Sequence, residues 1–188
     1  MTDDAELMRR VREGDEVAFG ALMAEWELPV KRVLGRIVQN SADADDLAQE
    51  TFIRIWQNRE RFLPGAAFRP WMFAIAVNLA RNRLRWWRRR PLVELEDWEI
   101  GESSARTETA LERKERAEAV RTAVGRLPLD QREVLVLFSY EGLSHAEIAA
   151  SVGGTPKSIE AKLYRAREKL RSGLRHWVED AGGEITDC

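Results

Sequence analysis

The chain has 188 residues, 44% of them hydrophobic and 33% charged, with a formal net charge of -2. That is enough apolar material for a core, so wholesale disorder is excluded, and the length fits one large domain or two small ones. A single cysteine, Cys188, and two distant histidines, His145 and His176, rule out an internal disulfide framework and leave almost no basis for a Cys- or His-rich metal site. The longest apolar run, Trp71 to Val77, is far short of the ~20 residues that span a bilayer. The start, Met1-Thr2-Asp3-Asp4, has no basic stretch followed by an apolar one, so no signal peptide is expected. These features predict a soluble, cytoplasmic protein and not a membrane protein.

Nearly every segment reads as helix, and none alternates with the period of a strand. A first helix is predicted over Asp4–Glu13, ending at Gly14-Asp15. A second runs from about Glu16 to Val38, with Pro29 predicting a kink or break. Ser41 is the predicted N-cap of a third helix, with Asp43, Asp45 and Asp46 in its first turns, where the helix dipole favours negative charge. It runs to about Arg59. Phe62-Leu63-Pro64-Gly65 is a loop, and a fourth helix runs from near Ala67 through an arginine block to Pro91.

Leu92 to about Thr107 has weak periodicity and reads as a linker. Beyond it, Leu111, Val120, Val124 and Leu127 mark a helix stopped by Pro128. Asp130, with Glu133 three residues on, begins the next, stopped at Gly142. Ser144 and Glu147 make a capping box for a short helix. Gly153-Gly154 turns the chain, Thr155 caps the last long helix, and Pro156 takes its first position, where a missing N–H costs nothing.

The near-neutral total conceals segregated charge. Arg81 to Arg90 holds six arginines and no acid; Leu92 to Glu118 has nine acids against four bases; Lys157 to Arg175 has seven bases against two acids. Two positive patches around a negative segment suggest two contacts with a polyanion. Either block alone could equally be a solvated helix face.

Three constellations stand out. Leu143 to Arg171 forms a helix-turn-helix. In its second helix Ile159, Leu163, Ala166, Leu170 and Leu174 form the buried stripe, leaving Lys157, Glu160, Ala161, Tyr164 and Arg165 outward, small and polar types first and cations later. On the fourth helix Phe68, Met72, Ile75 and Leu79 form a buried stripe. Beside it runs a second stripe, Trp71, Ala74, Asn78, Asn82, Arg85 and Arg89. Aromatic rings stack on unpaired bases, amides read base edges and arginines hold phosphate, which is a layout for single-stranded or melting DNA. Trp86 and Trp87 read as core residues. The third helix pairs apolar Leu47, Ala48, Phe52, Ile55 and Trp56 with a face of Asp46, Gln49, Glu50, Ile53 and Gln57. Phosphate would repel that acidic face, so it suits a basic protein partner or plain solvation. No catalytic constellation and no cofactor signature appears. No enzyme and no small-molecule substrate are therefore expected.

Three segments, DADDLAQETFIRIW, then FRPWMFAIAVNLARNRLR, then LPLDQREVLVLFSYEGLSHAEIA followed by KLYRAREKLR, resemble the extracytoplasmic-function (group IV) sigma factors of bacterial RNA polymerase. The resemblance covers about residues 5 to 175, in family order and spacing. It implies an all-α protein of two small domains. Residues 1–90 would be sigma region 2, 91–107 an acidic linker, 108–178 sigma region 4, and 179–188 a tail. Asp45, Asp46, Leu47, Gln49, Glu50, Ile53 and Trp56 would bind the clamp helices of core polymerase. Phe68, Trp71, Asn78, Arg81, Asn82 and Arg85, with the loop from Glu60 to Pro70, would hold the single-stranded -10 element, and Asn78 stands at the family's asparagine in the Ile75-Ala76-Val77-Asn78 motif. Thr155, Lys157, Ser158, Glu160, Ala161, Lys162, Tyr164 and Arg165 would read the double-stranded -35 element, while the same domain docks on the polymerase flap. The linker would thread polymerase as a nucleic-acid mimic.

The sequence departs from the family at Asn82, often Asp; at Glu160, often basic; and at Ala161, commonly Ser. Glu160 could accept a hydrogen bond from cytosine N4, so the -35 letters cannot be transferred from other members. The short tail predicts control by a separate anti-sigma protein. The rivals are a free-standing helix-turn-helix regulator, which would leave the acidic helix and the Trp-Asn-Arg stripe without a task, and a sigma mimic that sequesters a partner.

Overall fold

In the computed structural model, residues 4–89 and 110–175 are described. The first unit begins with α1 (Asp4–Arg12) and α2 (Glu16–Val38). Asp15 joins them: its carboxylate accepts from the Val17 amide at 2.9 Å and the Ala18 amide at 3.0 Å, satisfying two donors that the start of α2 leaves open. Arg10 holds the same carboxylate at 2.6 Å. α2 runs unbroken through Pro29. A proline inside a helix costs about 3 kcal/mol, and burial of Val30, Val33, Leu34 and Ile37 just beyond it offsets that cost. Gln39 closes α2 in the left-handed conformation, φ 60°, its N–H returning to the Gly35 carbonyl at 2.8 Å.

α3 (Ser41–Gln57) is capped by Asn40, whose side chain accepts from the Asp43 amide at 2.8 Å. Ser41, the predicted cap, is instead the first helical residue; both types can cap, and the extended backbone falls one residue earlier. A short 3-10 turn, Arg59–Arg61, leads into the loop. There the Ala66 N–H bonds the Leu63 carbonyl at 3.1 Å, with Pro64 and Gly65 between them and Gly65 at φ +78°. Proline followed by glycine at positive φ is the requirement of a type II turn. α4 (Phe68–Arg88) is buried on more than the single stripe expected: Phe73, Ala76, Val77 and Ala80 join Phe68, Met72 and Leu79 in the core. The broad burial arises because α4 packs against α2 and α3 and also against the second unit. Trp86 is 47% exposed, so it is not a core residue.

The second unit holds α5 (Ala110–Gly125), α6 (Leu129–Glu141), α7 (His145–Val152) and α8 (Pro156–Gly173). Pro128, not Asp130, stands at the cap position of α6, and Glu133 takes no part in capping. The capping box of α7 forms as expected: the Glu147 carboxylate accepts from the Ser144 amide at 2.8 Å, and the Ser144 hydroxyl oxygen accepts from the Glu147 amide at 3.3 Å. Between α7 and α8, Gly153 and Gly154 both have positive φ. At Gly154, φ +108°, a Cβ would lie 2.7 Å from the Ser158 hydroxyl, so a side chain there would strain the backbone and displace the capping serine. Ile148, Ile159, Leu163, Ala166, Leu143, Val134 and Leu137 form this unit's core. The units meet where α7 packs on α4 and α6 on α2. The segments read as linker and tail lie outside the described residues.

Candidate nucleic-acid and polymerase interfaces

α4 presents the expected strip to solvent. Its core residues fix the rotation of the helix, so Asn78, Asn82, Arg85 and Arg89 face outward, with Trp71 and Ala74 half-buried at the start. Trp71 packs edge-on against Phe62 at 5.1 Å and tilts against Phe68 at 6.3 Å, which holds its ring while leaving part of it open. Phe68 itself is 3% exposed; it supports Trp71 from the core and cannot stack on a base. Asn82 and Arg85 touch weakly, at 3.4 Å.

The arginines of α4 divide. Arg83 bonds Asp43 on α3. Burial raises the Asp43 carboxyl above its ordinary range, and the Arg83 guanidinium opposes that rise. Arg81 bonds Glu133 of α6 through two nitrogens, at 2.8 and 2.6 Å, and these bonds raise its own pKa. Arg81, expected free for DNA, is thus already engaged. Arg85, Arg88 and Arg89 are exposed.

On α3, Asp46, Gln49 and Ile53 are exposed, Ile53 by 49%. Ile53 stands open among the acids of this face; a single exposed isoleucine is ordinary on a protein surface. Glu50 is half-buried and accepts from Arg54 at 2.7 Å, and Asp45 pairs with Lys31 at 2.5 Å. Trp56 is half-buried, 5.0 Å from the Phe19 ring with the Arg59 guanidinium 4.5 Å from its own. Leu47 is 4% exposed, so it belongs to the core and offers no surface to a partner.

On α8, Lys157, Glu160, Tyr164 and Arg165 are exposed and Ala161 half-buried, while Ile159, Leu163 and Ala166 face inward. Thr155 and Ser158 are spent on the cap: the Thr155 hydroxyl oxygen accepts from the Ser158 amide at 3.2 Å, and Ser158 Oγ accepts from the Thr155 amide at 3.0 Å. Their side chains orient the helix. Lys162 leans toward α6, 3.6 Å from Asp130.

The residue that sequence reasoning missed is Glu133. It is a fully buried acid at 1% exposure, and its sole signal was its place beside the apolar run Val134 to Phe138. A charge buried to that degree needs a partner.

An acidic-and-apolar helix face, an aromatic–amide–cation strip and a capped helix-turn-helix with a basic outer face define a DNA-binding protein with a protein-docking surface. Residues 22–90 match the family model described as Sigma-70 region 2, and residues 117–170 match Sigma-70, region 4. The RNA polymerase sigma factor NccH of Alcaligenes xylosoxydans xylosoxydans is 31% identical over 182 residues, covering 93% of this chain and 98% of the relative. The ECF RNA polymerase sigma-E factor of Escherichia coli is 32% identical over 176 residues, covering 89% of this chain and 92% of the relative. The solved structure of CnrH in complex with the cytosolic domain of CnrY superposes with a TM-score of 0.72 at 28% identity, covering 92% and 97% of the two chains.

The chain belongs to the extracytoplasmic-function sigma factors of the sigma-70 family. It is a transcription factor that serves promoter-directed initiation by RNA polymerase. No helix among the described residues is long and apolar enough to cross a membrane.

Proposed function

We propose that this chain binds core RNA polymerase through the exposed part of α3, reads duplex -35 DNA with α8, and traps unpaired -10 bases on α4. The reading places region 2 in residues 1–90, an acidic linker in 91–107, region 4 in 108–178 and a tail in 179–188. Asp46, Gln49 and Ile53 contact the polymerase clamp, with Glu50, Asp45 and Trp56 at the margin, and region 4 docks on the flap. Lys157, Glu160, Ala161, Tyr164 and Arg165 face the major groove and its phosphates.

The observation that carries the reading is the strip on α4, in which a supported Trp71 is followed by exposed Asn78, Asn82 and Arg85. Stacking one base on an aromatic side chain contributes about 1–3 kcal/mol, and extruding a paired base costs a few kcal/mol. One tryptophan therefore roughly offsets one extruded base. Opening a longer bubble needs the amides, the arginines and polymerase together, and it needs binding energy alone. Catalysis by this chain is accordingly not required, and it acts in the cytoplasm with polymerase. CnrH, whose fold this chain shares, forms a complex with the cytosolic domain of CnrY. That supports an anti-sigma protein as a further partner here.

The test is the pair Trp71→Ala with Asn78→Ala. Core polymerase binding is retained and promoter opening, read by permanganate reactivity of unpaired thymines, is lost. A double variant that opens promoters normally removes α4 from the -10 site.

A further inference from the structure

Apart from the surfaces on α3, α4 and α8, the molecule carries an open groove between the C-terminal ends of α5 and α8, with a volume of about 430 Å³. A space of that size takes a ring-bearing group. Ala119, Ala123 and Leu127 on one side and Leu174 on the other give it an apolar floor, with Arg126 and Lys169 beside them. Leu127 is buried and the other three apolar residues are half-buried, whereas both cations are exposed. Neither cation makes a side-chain hydrogen bond or ion pair with a described residue, although their neighbours do: Arg121 pairs with Glu118, and Arg171 with Glu168 at 2.7 Å. No acid lines the groove among the described residues. An apolar floor with two uncommitted cations fits an acidic segment led by an aromatic side chain.

The chain itself supplies such a segment. Residues 176–188 hold four acids, Glu179, Asp180, Glu184 and Asp187, and no lysine or arginine, with Trp177 and Val178 ahead of them. Leu174, in the wall of the groove, precedes Trp177 by three residues, a span of at most about 10 Å. Ile159, Leu163, Ala166, Leu170 and Leu174 follow one another at helical spacing, and Trp177 is the next position of that series. Glu179 and Asp180 come directly after it, so the charge opposite to that of the groove arrives just behind the ring. The acidic stretch before α5 fits less well, because it enters at Ala110, nine residues and about 14 Å along the helix from Ala119.

We propose that this groove seats residues 177–180 of the same chain, with Trp177 and Val178 on the apolar floor and Glu179 and Asp180 against Arg126 and Lys169. A short tether supplies an effective concentration on the order of millimolar, so contacts too weak to hold a separate peptide suffice. Helical spacing puts Lys157, Glu160 and Tyr164 on the side of α8 away from the groove. The seated segment therefore leaves the outward face of α8 open and covers the back of the second unit. A protein partner that docks on that back face has to displace the segment first. This seat does not depend on the reading of α8 as a DNA-binding helix.

Fluorine NMR on the full chain tests it. The seven tryptophans are replaced by 5-fluorotryptophan, and the Trp177 resonance is identified by its loss in Trp177→Phe. A synthetic peptide of residues 176–188 with the same label marks the unseated position. The Trp177 resonance of the unaltered chain is expected away from that position, and Arg126→Glu with Lys169→Glu returns it there. An exposed ion pair contributes about 1.4- to 5-fold, and reversal sets repulsion in place of attraction, so the ratio of seated to unseated chains should fall about tenfold. The resonances of Trp26, Trp56 and Trp71, in the first unit, stay in place and report an intact fold; should they move, the milder pair Arg126→Gln with Lys169→Gln decides by the same criterion. A Trp177 resonance that coincides with the peptide in the unaltered chain overturns the proposal. So does a displaced resonance that ignores both charge changes, since the ring then sits elsewhere. A displacement that fades on dilution overturns it by placing the segment of another copy in the groove. Response of Trp98 instead of Trp177 to charge reversal overturns it in favour of the stretch before α5.

Discussion

Replacing Glu160 by glutamine should change which base the protein prefers at one -35 position. Glu160 is exposed on the outward face of α8, one turn from exposed Lys157 and one turn from exposed Tyr164. Among the described residues it makes no hydrogen bond or ion pair, whereas Glu168 on the same helix accepts from Arg171 at 2.7 Å. Its carboxylate therefore gives up no protein partner on meeting DNA. Phosphate repels it, which leaves a base edge as its favourable contact, and a carboxylate accepts from cytosine N4. Glutamine at the same place pairs with adenine N6 and N7. A good side-chain–base pair discriminates by about 1–3 kcal/mol, equivalent to about 5- to 150-fold in relative affinity. Glu160→Gln should thus move one position from cytosine toward adenine by about tenfold, and Glu160→Ala should flatten that position without a new preference. The assay is competition among -35 duplexes randomised one position at a time, bound by the holoenzyme. A base profile for Glu160→Gln that matches the unaltered chain at every position would refute the reasoning. A uniform change in affinity would return Glu160 to the solvated face.

Other expectations follow from the same structure. Burial raises the Glu141 carboxyl above its ordinary 4.5, against the opposing fields of Arg69, Arg36 and Arg32. The folded chain then holds this proton more tightly than the unfolded one, so stability falls as pH rises from about 4.5 through the raised value. Glu141→Gln removes that loss: it should be the more stable form at pH 7 in urea unfolding, with the difference vanishing below pH 4, and a difference that does not change with pH contradicts the assignment. Ser144→Ala deletes the cap of α7 and should cost about 1 kcal/mol, lowering Tm by about 2–4 °C by calorimetry for a chain of this size. Leu163→Ala empties a site that is 3% exposed, beneath the outward face of α8. It should cost about 2–5 kcal/mol and weaken -35 binding while clamp binding through α3 persists, as pull-down with core polymerase would show.

Local chemistry made most of the fold legible. Caps at Ser144 and Thr155, the Pro156 start and the glycine turn are short-range signals, and each operates where the residues placed it. The outward strip of α4 was legible for the same reason, since helical spacing alone assigns Trp71, Asn78, Asn82 and Arg85 to one side. Ser41 and Asn40 were a near tie, because adjacent residues could both cap and only the backbone turn decides between them. Leu47 and Phe68 were misassigned to surfaces because a family motif names positions without saying which side of a helix the core claims. The joint between units was hidden for a different reason. Arg81 and Glu133 are 52 positions apart, and no periodicity connects them. An acid at the edge of an apolar run, as Glu133 is before Val134, hints at a buried charge with a partner but does not say which one.

The central claim is tested most directly by reconstituted transcription. The purified chain is mixed with bacterial core polymerase and sheared DNA of its own genome, and RNA 5′ ends are mapped. The account predicts discrete start sites that share two upstream motifs, the nearer one lost as an opened region when Trp71 and Asn78 are both replaced by alanine. A stable complex with core polymerase that yields no discrete starts would contradict it and leave a sequestering mimic; no complex at all would contradict every role assigned here to α3.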